Sequence, residues 1–507
     1  MVTGSLEVET KYEVDGDANL PALTELPGVA RESSPDVHHL DATYFDTDDL
    51  RLARAGITLR WRTGGDDDGW HLKLPVDGGR HELWAASGRS ARTPPIALRR
   101  IVAGVVRDRS LVPVAGLRTE RRVVSLLDEG DAVLAMVCDD RVQARRLGGG
   151  DQPEQTWREW ELEVRGGRRK LTKAAHARLR AAGAQRSAHG SELASALTTS
   201  CAAPERPTVA ADERASERDL LHQHLVALAA ELNRLDPLVR ADLPDAVHLM
   251  RVACRRLRSI LRTFEKSFDA ATTDPVRGDL KWLIDELGRP RDVEVLHGRL
   301  GEMLAAEQPD LVRGNARRSV DRRLRAAYRS AHKEAAEAMA SPRYAELVDT
   351  LETWAENPPW SDRRDRRARR KLARAVAREW ARTEKAAAVA DAAAGEPDHA
   401  ARLHEVRMAA KRTRYAAEAL APVWGDDATR LASAVTRIQR TLGRHHDTAV
   451  AADEVNAMAE TAGAEGEDTF TYGVLRARLD QDLVRHERDY RLALRKAREP
   501  RLRRWLG

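Results

Sequence analysis

The sequence predicts a multidomain protein with an antiparallel, β-rich α+β domain at the N-terminus and an all-α region at the C-terminus. Residues 1–165 contain short segments in which apolar and polar residues alternate with period two, separated by Gly, Asp and Pro. From residue 213 to about residue 498, Ala, Leu, Arg and Glu recur instead at helical spacing, interrupted by prolines. The change of period predicts separate domains with different folds.

Length, charge and cysteine content narrow the class of protein. A chain of 507 residues exceeds what one hydrophobic core normally supports, so we expect two or three domains. Lys and Arg number 29 against 30 Asp and Glu in residues 1–200, but 56 against 50 in residues 201–507, so a polyanion would bind the second half. The three cysteines show no paired spacing, and no apolar run approaches the ~20 residues of a membrane span. These features predict a soluble cytoplasmic protein.

The strand pattern is clearest in six segments of the N-terminal part. They are residues 6–13, 56–62, 70–74, 118–126, 132–138 and 158–164. Helical spacing predicts helices over 20–26, 94–106 and 171–182. Because the strands are short and joined by turn residues, the sheet is expected to be antiparallel.

The first strand carries an informative pattern of charges. Glu7, Glu9 and Lys11 alternate with other residues, so the three side chains project to one face of an extended segment. Carboxylates two residues apart on one face repel each other unless a cation lies between them, and a neighbouring ammonium is useful where an anion shares the site. The segment therefore predicts a site that holds a metal ion together with a phosphate.

The other strands also have one charged and one apolar face. The charged positions are Arg60, Arg62, Lys73, Arg80, Glu82, Glu159, Glu161 and Glu163. Two folds satisfy this pattern. In one, the charged faces are solvated and the apolar faces form the core of a sheet. In the other, the charged faces converge inside a closed barrel, and helices or a partner domain cover the apolar outside.

The helical part contains an internal repeat. His248 and Arg251 are matched 156 positions later by His404 and Arg407, and the landmark LGRPRD at 287–292 is matched by LGRHHD at 442–447. The repeats are expected at about 213–357 and 360–500. A proline-bearing segment of small residues precedes them, which places the domain boundaries at 1–200, 201–212 for a linker, and 213–507.

A stripe of basic residues begins each copy of the repeat. In the first copy it consists of His248, Arg251, Arg255, Arg258 and Arg262, whose spacing of three and four residues places them on one helix face. Such a run is usually a solvated basic face. This stripe recurs after the same histidine in the second copy, so two stripes related by duplication can instead line a basic groove.

Several N-terminal segments resemble the CYTH family, the triphosphate tunnel metalloenzymes. The ExExK signature of that family corresponds to residues 7–11, and further segments follow in the family's order at 43–47, 56–62, 70–75, 80–82, Asp139 and 159–163. The resemblance covers about residues 5–197. It implies an eight-stranded β-barrel tunnel that binds a triphosphate and hydrolyses it with Mg²⁺ or Mn²⁺. Ser191-Glu192-Leu193 departs from the Ser-Lys-Leu of many members, so position 192 is given no role.

The resemblance also implies roles for individual residues. Hard divalent cations prefer carboxylate oxygens, so the expected metal ligands are Glu7, Glu9, Glu161, Glu163 and Asp139, with Glu159 as an addition. The expected catalytic residues are Glu7, Glu9, Lys11, Glu161 and Glu163. The expected phosphate ligands are Lys11, Arg60, Arg62, Lys73, Arg80 and one or both of Arg121 and Arg122. Arg122 is favoured because Arg118 and Glu120 share its face; the roles of Asp46, Glu82 and Glu159 stay open.

The helical part resembles the CHAD family, the conserved histidine α-helical domain. The resemblance is carried by the segments 248–264, 287–292, 403–420 and 442–447. It implies two four-helix bundles around a positive channel that binds inorganic polyphosphate. The expected contacts are His248, Arg251, Arg255, Arg258, His404, Arg407, Lys411 and Arg414, with Lys281, Arg291 and His445 in addition.

The sequence therefore predicts a metal-dependent hydrolase of inorganic triphosphate, or of a related triphosphate, joined to a module that binds polyphosphate and polyphosphate granules. The alternative is a non-catalytic polyphosphate-binding scaffold protein, although a tunnel that only grips a polyanion gains nothing from paired glutamates. Nucleic-acid binding is disfavoured, because base stacking needs aromatic residues among the cations, and the first stripe has only Phe264 and Phe268 near its end.

Overall fold

The chain folds into two compact units, Met1–Glu205 with Asp236–Ala241, and Arg206–Leu235 with Asp242–Gly507. The computed structural model describes residues 2–65, 67–85, 93–148, 153–165, 168–187, 191–197, 207–210, 216–362 and 368–506. Residues 201–206 and 211–212 of the expected linker lie outside the described residues.

The first unit is built on one antiparallel sheet. Its strands are β1 (Val2–Glu7), β2 (Glu9–Glu13), β3 (Arg31–Glu32), β4 (Asp36–Asp46), β5 (Thr58–Thr63), β6 (Gly69–Val76), β7 (Gly79–Ala85), β8 (Val112–Leu127), β9 (Val133–Arg146), β10 (Gln155–Val164) and β11 (Gln185–Arg186). Its described helices are α1 (Arg51–Arg54), α2 (Ile96–Val106), α3 (Arg169–Ala181) and α4 (Glu192–Leu197). Each of the six predicted strand segments lies in this sheet.

The helix predicted over residues 20–26 is wrong. These residues form turns, and no helix is assigned between β2 and β3. The spacing that suggested a helix has another origin, because Leu23 and Leu26 are buried against the barrel and the segment ends at Pro27. A segment this short between two prolines cannot add enough helical turns to offset the cost of helix nucleation.

The sheet closes into a barrel because the N-terminal segment pairs at both ends of the strand order. That order is β1-β7-β6-β5-β4-β8-β9-β10-β2, and only Val8 separates β1 from β2. Glu7 of β1 pairs with Arg80 of β7, and two residues later Glu9 of β2 pairs with Glu163 of β10. With β1 and β2 counted as one strand, the described barrel has eight strands, as expected. The short strands β3 and β11 pair with β8 and β2.

The apolar faces of the strands point outward and are covered. Leu171 and Leu179 of α3 belong to one buried cluster with Trp160 and Leu162 of β10, and Trp160 is fully buried. Leu72 of β6, on another side of the barrel, is also fully buried. The charged faces therefore point into the barrel, so the closed barrel is the right interpretation of the alternating pattern and the solvated sheet is wrong.

Helix α4 lies at one end of the barrel interior. Its apolar side chains are almost completely buried: Leu193, Ala194, Ala196 and Leu197. They pack against inward-facing residues of three strands, among them Tyr44, Leu117 and Val142. This packing fixes the first residue of α4, Glu192, deep inside the barrel.

The second unit is helical. Its described helices are α5 (Glu217–Arg240), α6 (Ala246–Thr263), α7 (Ala270–Glu286), α8 (Gly288–Ala306), α9 (Ala316–Met339), α10 (Pro342–Glu356), α11 (Ala368–Ala392), α12 (His399–Trp424), α13 (Asp426–Ala464) and α14 (Phe470–Ala497), with short 3₁₀ helices at Glu265–Ser267, Pro309–Leu311, Pro500–Leu502 and Arg504–Leu506. Among the described residues, no helix combines the length and the apolar character needed to cross a membrane.

The internal repeat is visible in these helices. The two basic stripes lie on α6 and α12. Leu287 separates α7 from α8 in the first copy, whereas the matching Leu442 lies within the continuous helix α13, so α7 and α8 together correspond to α13. Helix α9 corresponds to α14, and α10 is an additional helix of the first copy. Leu300, Leu324, Val455 and Leu475 from both copies share one core, which confirms the duplicated helical bundles.

Candidate active site in the barrel and basic groove in the helical unit

The inward-facing residues of the barrel line a charged cavity of about 670 Å³. Nine residues that the sequence singled out meet here: Glu7, Glu9, Lys11, Arg60, Arg62, Lys73, Arg80, Glu161 and Glu163. They come from six strands that are distant in sequence, and strand pairing alone brings them together. Glu161, for example, lies directly opposite Lys11 in the β10–β2 ladder.

The part of the cavity away from α4 contains a group that we call the mouth cluster, made of Glu7, Glu9, Lys73, Glu82 and Glu163. The Lys73 ammonium lies 2.6 Å from Glu7 Oε2 and 3.7 Å from Glu9 Oε2. Burial raises the pKa of Glu7 to about 8, and its hydrogen bond with Glu82 adds to the shift. Burial also raises the pKa of Glu163. The mouth cluster therefore contains four carboxyl groups and one ammonium group.

Glu82 differs from its neighbours in the mouth cluster because a histidine and two cations surround it. Burial alone would raise its pKa, but the hydrogen bond from His71, 2.9 Å away, and the charge of Lys73 hold the pKa well below its ordinary value. Arg60 contributes to the same effect at 4.0 Å. Glu82 is therefore a permanently charged partner of the cations.

Closer to α4 lies a second group, which we call the inner cluster: Lys11, Arg60, Arg121, Asp140, Glu159, Glu161 and Glu192. The Lys11 ammonium donates to Glu159 at 2.6 Å, to Glu161, and to Glu192 at 3.5 Å. Burial alone would lower the pKa of Lys11, but Glu161 and Glu159 outweigh it and hold the pKa well above its ordinary value. Lys11 is therefore charged at every physiological pH.

Arg121, not Arg122, lies in the cavity, which corrects the sequence-based preference. Arg121 donates to Asp140 at 2.9 Å and to Glu161 at 2.7 Å, whereas Arg122 is exposed on the outside of β8. The preference relied on Arg118 and Glu120 as neighbours on the charged face, but both are exposed and mark the outer face. The period-two pattern correctly separated the residues of β8 into two faces, but the face that was expected to point into the barrel is the outer one.

Asp139 was expected as a metal ligand and also points away from the cavity. Its carboxylate accepts two hydrogen bonds from Arg158, each of 2.8 Å, on the outer face. The neighbouring Asp140 faces inward, is fully buried and pairs with Arg121. Burial raises the pKa of Asp140 to about 7. The inward carboxylate of β9 is therefore Asp140.

Glu192, to which the sequence gave no role, reaches the centre of the inner cluster. Its carboxylate accepts hydrogen bonds from the Tyr44 hydroxyl at 2.7 Å and from Arg60 at 3.4 Å, and lies 3.8 Å from Arg121. Burial opposes ionisation, but Lys11, Arg60 and Arg121 hold the pKa of Glu192 well below its ordinary value. One sequence signal could have indicated this position: in the Ser-Glu-Leu segment, a charged residue stands at the start of a short apolar helix.

The remaining arginines of the cavity keep unused hydrogen-bond donors. The Nε atoms of Arg60 and Arg62 are buried and have no hydrogen-bond partner among the described residues. Arg62 donates to Asp67, and burial together with the charge of Arg60 lowers its pKa. Arg80 lines the cavity beside Glu7. These guanidinium groups are suited to bind an anion, to which they would donate hydrogen bonds.

The structure also shows what two further carboxylates contact. Asp46 is fully buried and accepts hydrogen bonds from the backbone N–H groups of Thr47 at 2.7 Å and of Leu52 and Ala53 at 2.9 Å, so it supports the turn into α1. Glu159 lies inside the barrel, not at its rim, and accepts from Trp157 Nε1 at 2.8 Å as well as from Lys11.

Among the described residues, one group of carboxylates lies close enough together to hold a divalent cation. Oxygens of Asp140, Glu159, Glu161 and Glu192 lie within 4.8 Å of one another. Lys11 and Arg121 already pair with this group, and they hold the pKa of Glu161 at about 2 in spite of its burial. The expected metal ligands Glu7, Glu9 and Glu163 line the same cavity beside Lys73.

The basic stripes of the helical unit line a groove of about 590 Å³. It contains the predicted residues Arg255, Arg258 and Lys411, together with Arg262, Lys281 and three cations that the sequence did not indicate: Arg277, Arg382 and Arg412. Asp274 is the only carboxylate among the described residues that line it. The groove is therefore a concentration of positive charge built from α6, α7, α11 and α12.

Lys411 is the most unusual cation of this groove. It is buried, and no carboxylate of the described residues lies within 4.0 Å of its ammonium. Burial, together with the charges of Arg407 and Arg255, lowers its pKa to about 7. Burial also lowers the pKa values of Arg255 and Arg258. A bound anion would supply the missing counter-charge.

Two other predicted residues pack against the repeat landmarks. Arg251 donates to the Gly288 carbonyl at 3.3 Å and to Asp292 at 3.2 Å, and a Cβ at position 288 would lie 3.2 Å from its guanidinium. Arg407 lies beside Gly443 in the same way. The two glycines of the LG landmarks therefore leave space for the arginine of each copy.

The remaining predicted polyphosphate contacts lie elsewhere on the two stripes. The ring of His404 is 5.0 Å from that of His446, which the sequence did not indicate. Arg414 pairs with Glu418 at 3.3 Å. His248 is partly buried, and burial together with Arg291 and Arg255 lowers its pKa. These residues do not line the groove that contains Lys411.

Two family models match the chain. A CYTH domain is matched at residues 5–187 and a CHAD domain at residues 223–456. The first range covers the barrel strands from β1 to β11, and the second covers both basic stripes. The families that the sequence resembles are therefore found by comparison as well.

The chain is similar to several relatives and solved structures. Uncharacterized proteins of two Mycobacterium tuberculosis strains, H37Rv and CDC 1551, are each 36% identical to the chain over 486 residues, which is 93% of this chain and 92% of the relative. PptA from Streptomyces chartreusis is 24% identical, with 55% of this chain and 100% of that chain covered and a TM-score of 0.47. The CHAD domain from the plant Ricinus communis is 27% identical, with 58% and 96% covered and a TM-score of 0.42.

The neighbouring arginines of β8 provide a test of the barrel interior. We expect Arg121→Gln to lower the free energy of unfolding by about 3–5 kcal/mol, because it leaves Asp140 buried without its counter-charge and removes one of the two cations that pair with Glu161. Arg122→Gln changes the same residue type on the exposed face and should alter it by less than about 0.5 kcal/mol. Urea denaturation at neutral pH measures both. Equal losses in the two variants would contradict the assignment of faces.

Proposed function

Because the chain belongs to the family of proteins with a CYTH domain followed by a CHAD domain, we propose that it hydrolyses inorganic triphosphate in the barrel and binds inorganic polyphosphate in the helical unit. CYTH domains act on triphosphates with divalent metal ions, as triphosphatases or cyclases. The observation that carries the proposal is the mouth cluster, in which four carboxyl groups share the Lys73 ammonium and lie beside Arg60 and Arg62, whose buried Nε atoms have no hydrogen-bond partner among the described residues.

The residues of the mouth cluster and the neighbouring arginines would have different roles in phosphoryl transfer. Glu7, Glu9 and Glu163 would hold Mg²⁺ or Mn²⁺, for which carboxylate oxygens are preferred ligands. Such an ion neutralises phosphate charge and lowers the pKa of a bound water. Arg60, Arg62, Lys73 and Arg80 would bind the phosphate oxygens. Phosphoryl transfer requires mainly positioning and charge neutralisation, which this arrangement supplies.

Inorganic triphosphate is the substrate that the cavity lining favours. Recognition of adenine or thiamine requires aromatic or apolar surface beside the phosphate site. Among the described lining residues, the aromatic rings are His38 and Tyr44, and the Tyr44 hydroxyl is bound to Glu192 and Arg60. The rest of the lining is mainly charged and polar.

A non-catalytic polyphosphate-binding scaffold protein is the alternative. It would need the cations of the cavity, but it would gain nothing from the four carboxyl groups of the mouth cluster, which repel a polyanion in their ionised form unless a metal ion lies between them. The carboxylates of the mouth cluster therefore favour the hydrolase.

The hydrolase is tested with the paired glutamates of the first strand. We expect the purified protein to release phosphate from triphosphate with Mg²⁺ or Mn²⁺, and Glu7→Gln with Glu9→Gln to abolish the release while retention of long-chain polyphosphate is unchanged. Glu13→Gln, an exposed carboxylate of the same strand, is the control and should remain active. If the wild-type protein turns over no triphosphate with either metal ion, the hydrolase is contradicted.

The helical unit supports the second part of the proposal. Its groove presents eight cations against one carboxylate among the described lining residues. A flexible chain with about one charge per phosphate can neutralise all of them, and its affinity comes largely from counterion release. Such a groove would attach the enzyme to polyphosphate granules or hold chains near it.

Charge reversal tests the groove. Arg255→Glu with Arg258→Glu should weaken binding of long-chain polyphosphate and reduce the slope of log affinity against log salt by about 1.4, or 0.7 for each lost contact. Arg485→Glu with Arg488→Glu makes the same change at exposed positions of α14 and should leave binding as in wild type. Filter binding over a salt series distinguishes the variants. Equal weakening by both pairs would exclude the groove as the site.

Lys411 predicts a pH dependence of polyphosphate binding. Its pKa in the free protein is about 7, and a bound polyanion raises it, so above neutral pH binding requires uptake of a proton. Affinity should therefore rise as the pH falls from 8 to 6. The charged groups around Lys411 are Arg407, Arg255, Arg251 and Asp447, and the rings of His404 and His446 also interact with it. Protonation of these rings at lower pH adds positive charge and acts in the same direction.

Lys411→Arg carries a permanent charge and isolates this effect. The variant should bind more tightly than wild type at pH 8 and show a smaller change between pH 8 and pH 7. Affinity measurements over this range in a series of buffers test the sign. A wild-type affinity that increases with pH would contradict the prediction.

A further inference from the structure

The carboxylate of Glu192 lies where cations of a phosphate site converge. It is within 4 Å of three of them: Arg60 at 3.4 Å, Lys11 at 3.5 Å and Arg121 at 3.8 Å. A carboxylate and a terminal phosphate both present charged oxygen acceptors, and the same donors bind either. Glu192 therefore takes up the contacts that an anion would make at this position.

Within the inner cluster, Lys11 has no N–H donor available for a phosphate. An ammonium group has three N–H donors, and those of Lys11 are matched by Glu159, Glu161 and Glu192. In total, three cations of the cluster meet four carboxylates: Asp140, Glu159, Glu161 and Glu192. A phosphate that moves inward from the mouth cluster therefore meets a net negative charge.

The position of Glu192 is also fixed by Tyr44 and by the packing of α4. The Tyr44 hydroxyl donates to it at 2.7 Å, and Leu193, Ala194 and Leu197 of α4 are packed against the inner wall of the barrel. Moving the carboxylate out of the cluster would require α4 to leave its apolar contacts. The group is therefore a fixed part of the cavity.

We propose that Glu192 is a specificity-determining residue that occupies the innermost phosphate position of the cavity and so limits the number of linked phosphates that can bind. The inference rests on the proposed phosphate-binding function of the barrel and names its substrate class, short linear phosphates. A fourth phosphate would need to enter the inner cluster, where the charge of Glu192 repels it and where Lys11 and Arg121 are already paired with carboxylates.

The test compares chain lengths of phosphate in one variant. Titration calorimetry of the full chain with triphosphate and tetraphosphate gives the ratio of their affinities. Glu192→Gln keeps the size of the side chain and its hydrogen bond from Tyr44 but removes the charge. We expect this ratio to shift by at least about tenfold toward tetraphosphate, since one buried like charge is removed from the fourth position.

A matched control accounts for binding elsewhere in the chain. Glu13→Gln removes one exposed carboxylate from β2, and the helical groove is identical in both variants, so this control should keep the wild-type ratio. If Glu192→Gln does not fold, Glu192→Asp withdraws the carboxylate by one methylene group and should shift the ratio in the same direction by about threefold. An unchanged ratio, or weaker binding of both phosphates, would overturn the proposal.

Binding and turnover separate this inference from the proposed function. A shifted affinity ratio in a protein that hydrolyses no triphosphate would support the role of Glu192 and contradict the hydrolase. Hydrolysis with the same chain-length preference in wild type and Glu192→Gln would support the hydrolase and overturn the role of Glu192.

Discussion

The barrel depends on the burial of opposite charges beside one another. A carboxylate or an ammonium that leaves water alone is strongly disfavoured, but a pair whose hydrogen bonds are complete is tolerated. Strand pairing provides this arrangement, since it places Glu161 directly opposite Lys11 and brings Asp140 to Arg121. Because the charges are neutralised inside, the apolar faces are free to pack against α3 and the other outer elements. The arrangement of inside and outside follows from this pairing.

In the helical unit, cations are brought together with few carboxylates beside them. The stripes on α6 and α12 use their apolar sides to build the bundle, where Met250, Leu257 and Val406 are buried. Their basic sides then meet at a groove whose lining has one carboxylate among the described residues, Asp274, and burial together with the neighbouring cations lowers the pKa of Lys411 to about 7. Duplication explains how such a surface arises, because two copies of one amphipathic helix bring two copies of its charged face together. The barrel interior pairs cations with carboxylates, whereas the groove has an excess of cations.

Much of the architecture was accessible from periodicity and motif order, and the errors have physical reasons. Alternation identified Glu7, Glu9 and Lys11 as neighbours on one face, and the repeat identified Arg255 and Lys411. Alternation defines two faces of a strand but not which one is inside, so Arg122 and Asp139 were chosen over Arg121 and Asp140. Glu192 and Arg277 were missed because their contacts depend on helices packed from elsewhere in the chain, and a local pattern contains no information about such packing.

The split N-terminal strand has a consequence for how the protein is made. Residues 2–13 are synthesised before the other strands of the barrel, yet β2 completes its ladder only with β10, about 150 residues later in the chain. Until then this segment has an unpaired edge that displays Leu6 and Val8 beside its glutamates, and such edges are prone to aggregate. The mutual repulsion of Glu7 and Glu9 would then act as a safeguard during synthesis, because it keeps two nascent chains from pairing through this strand.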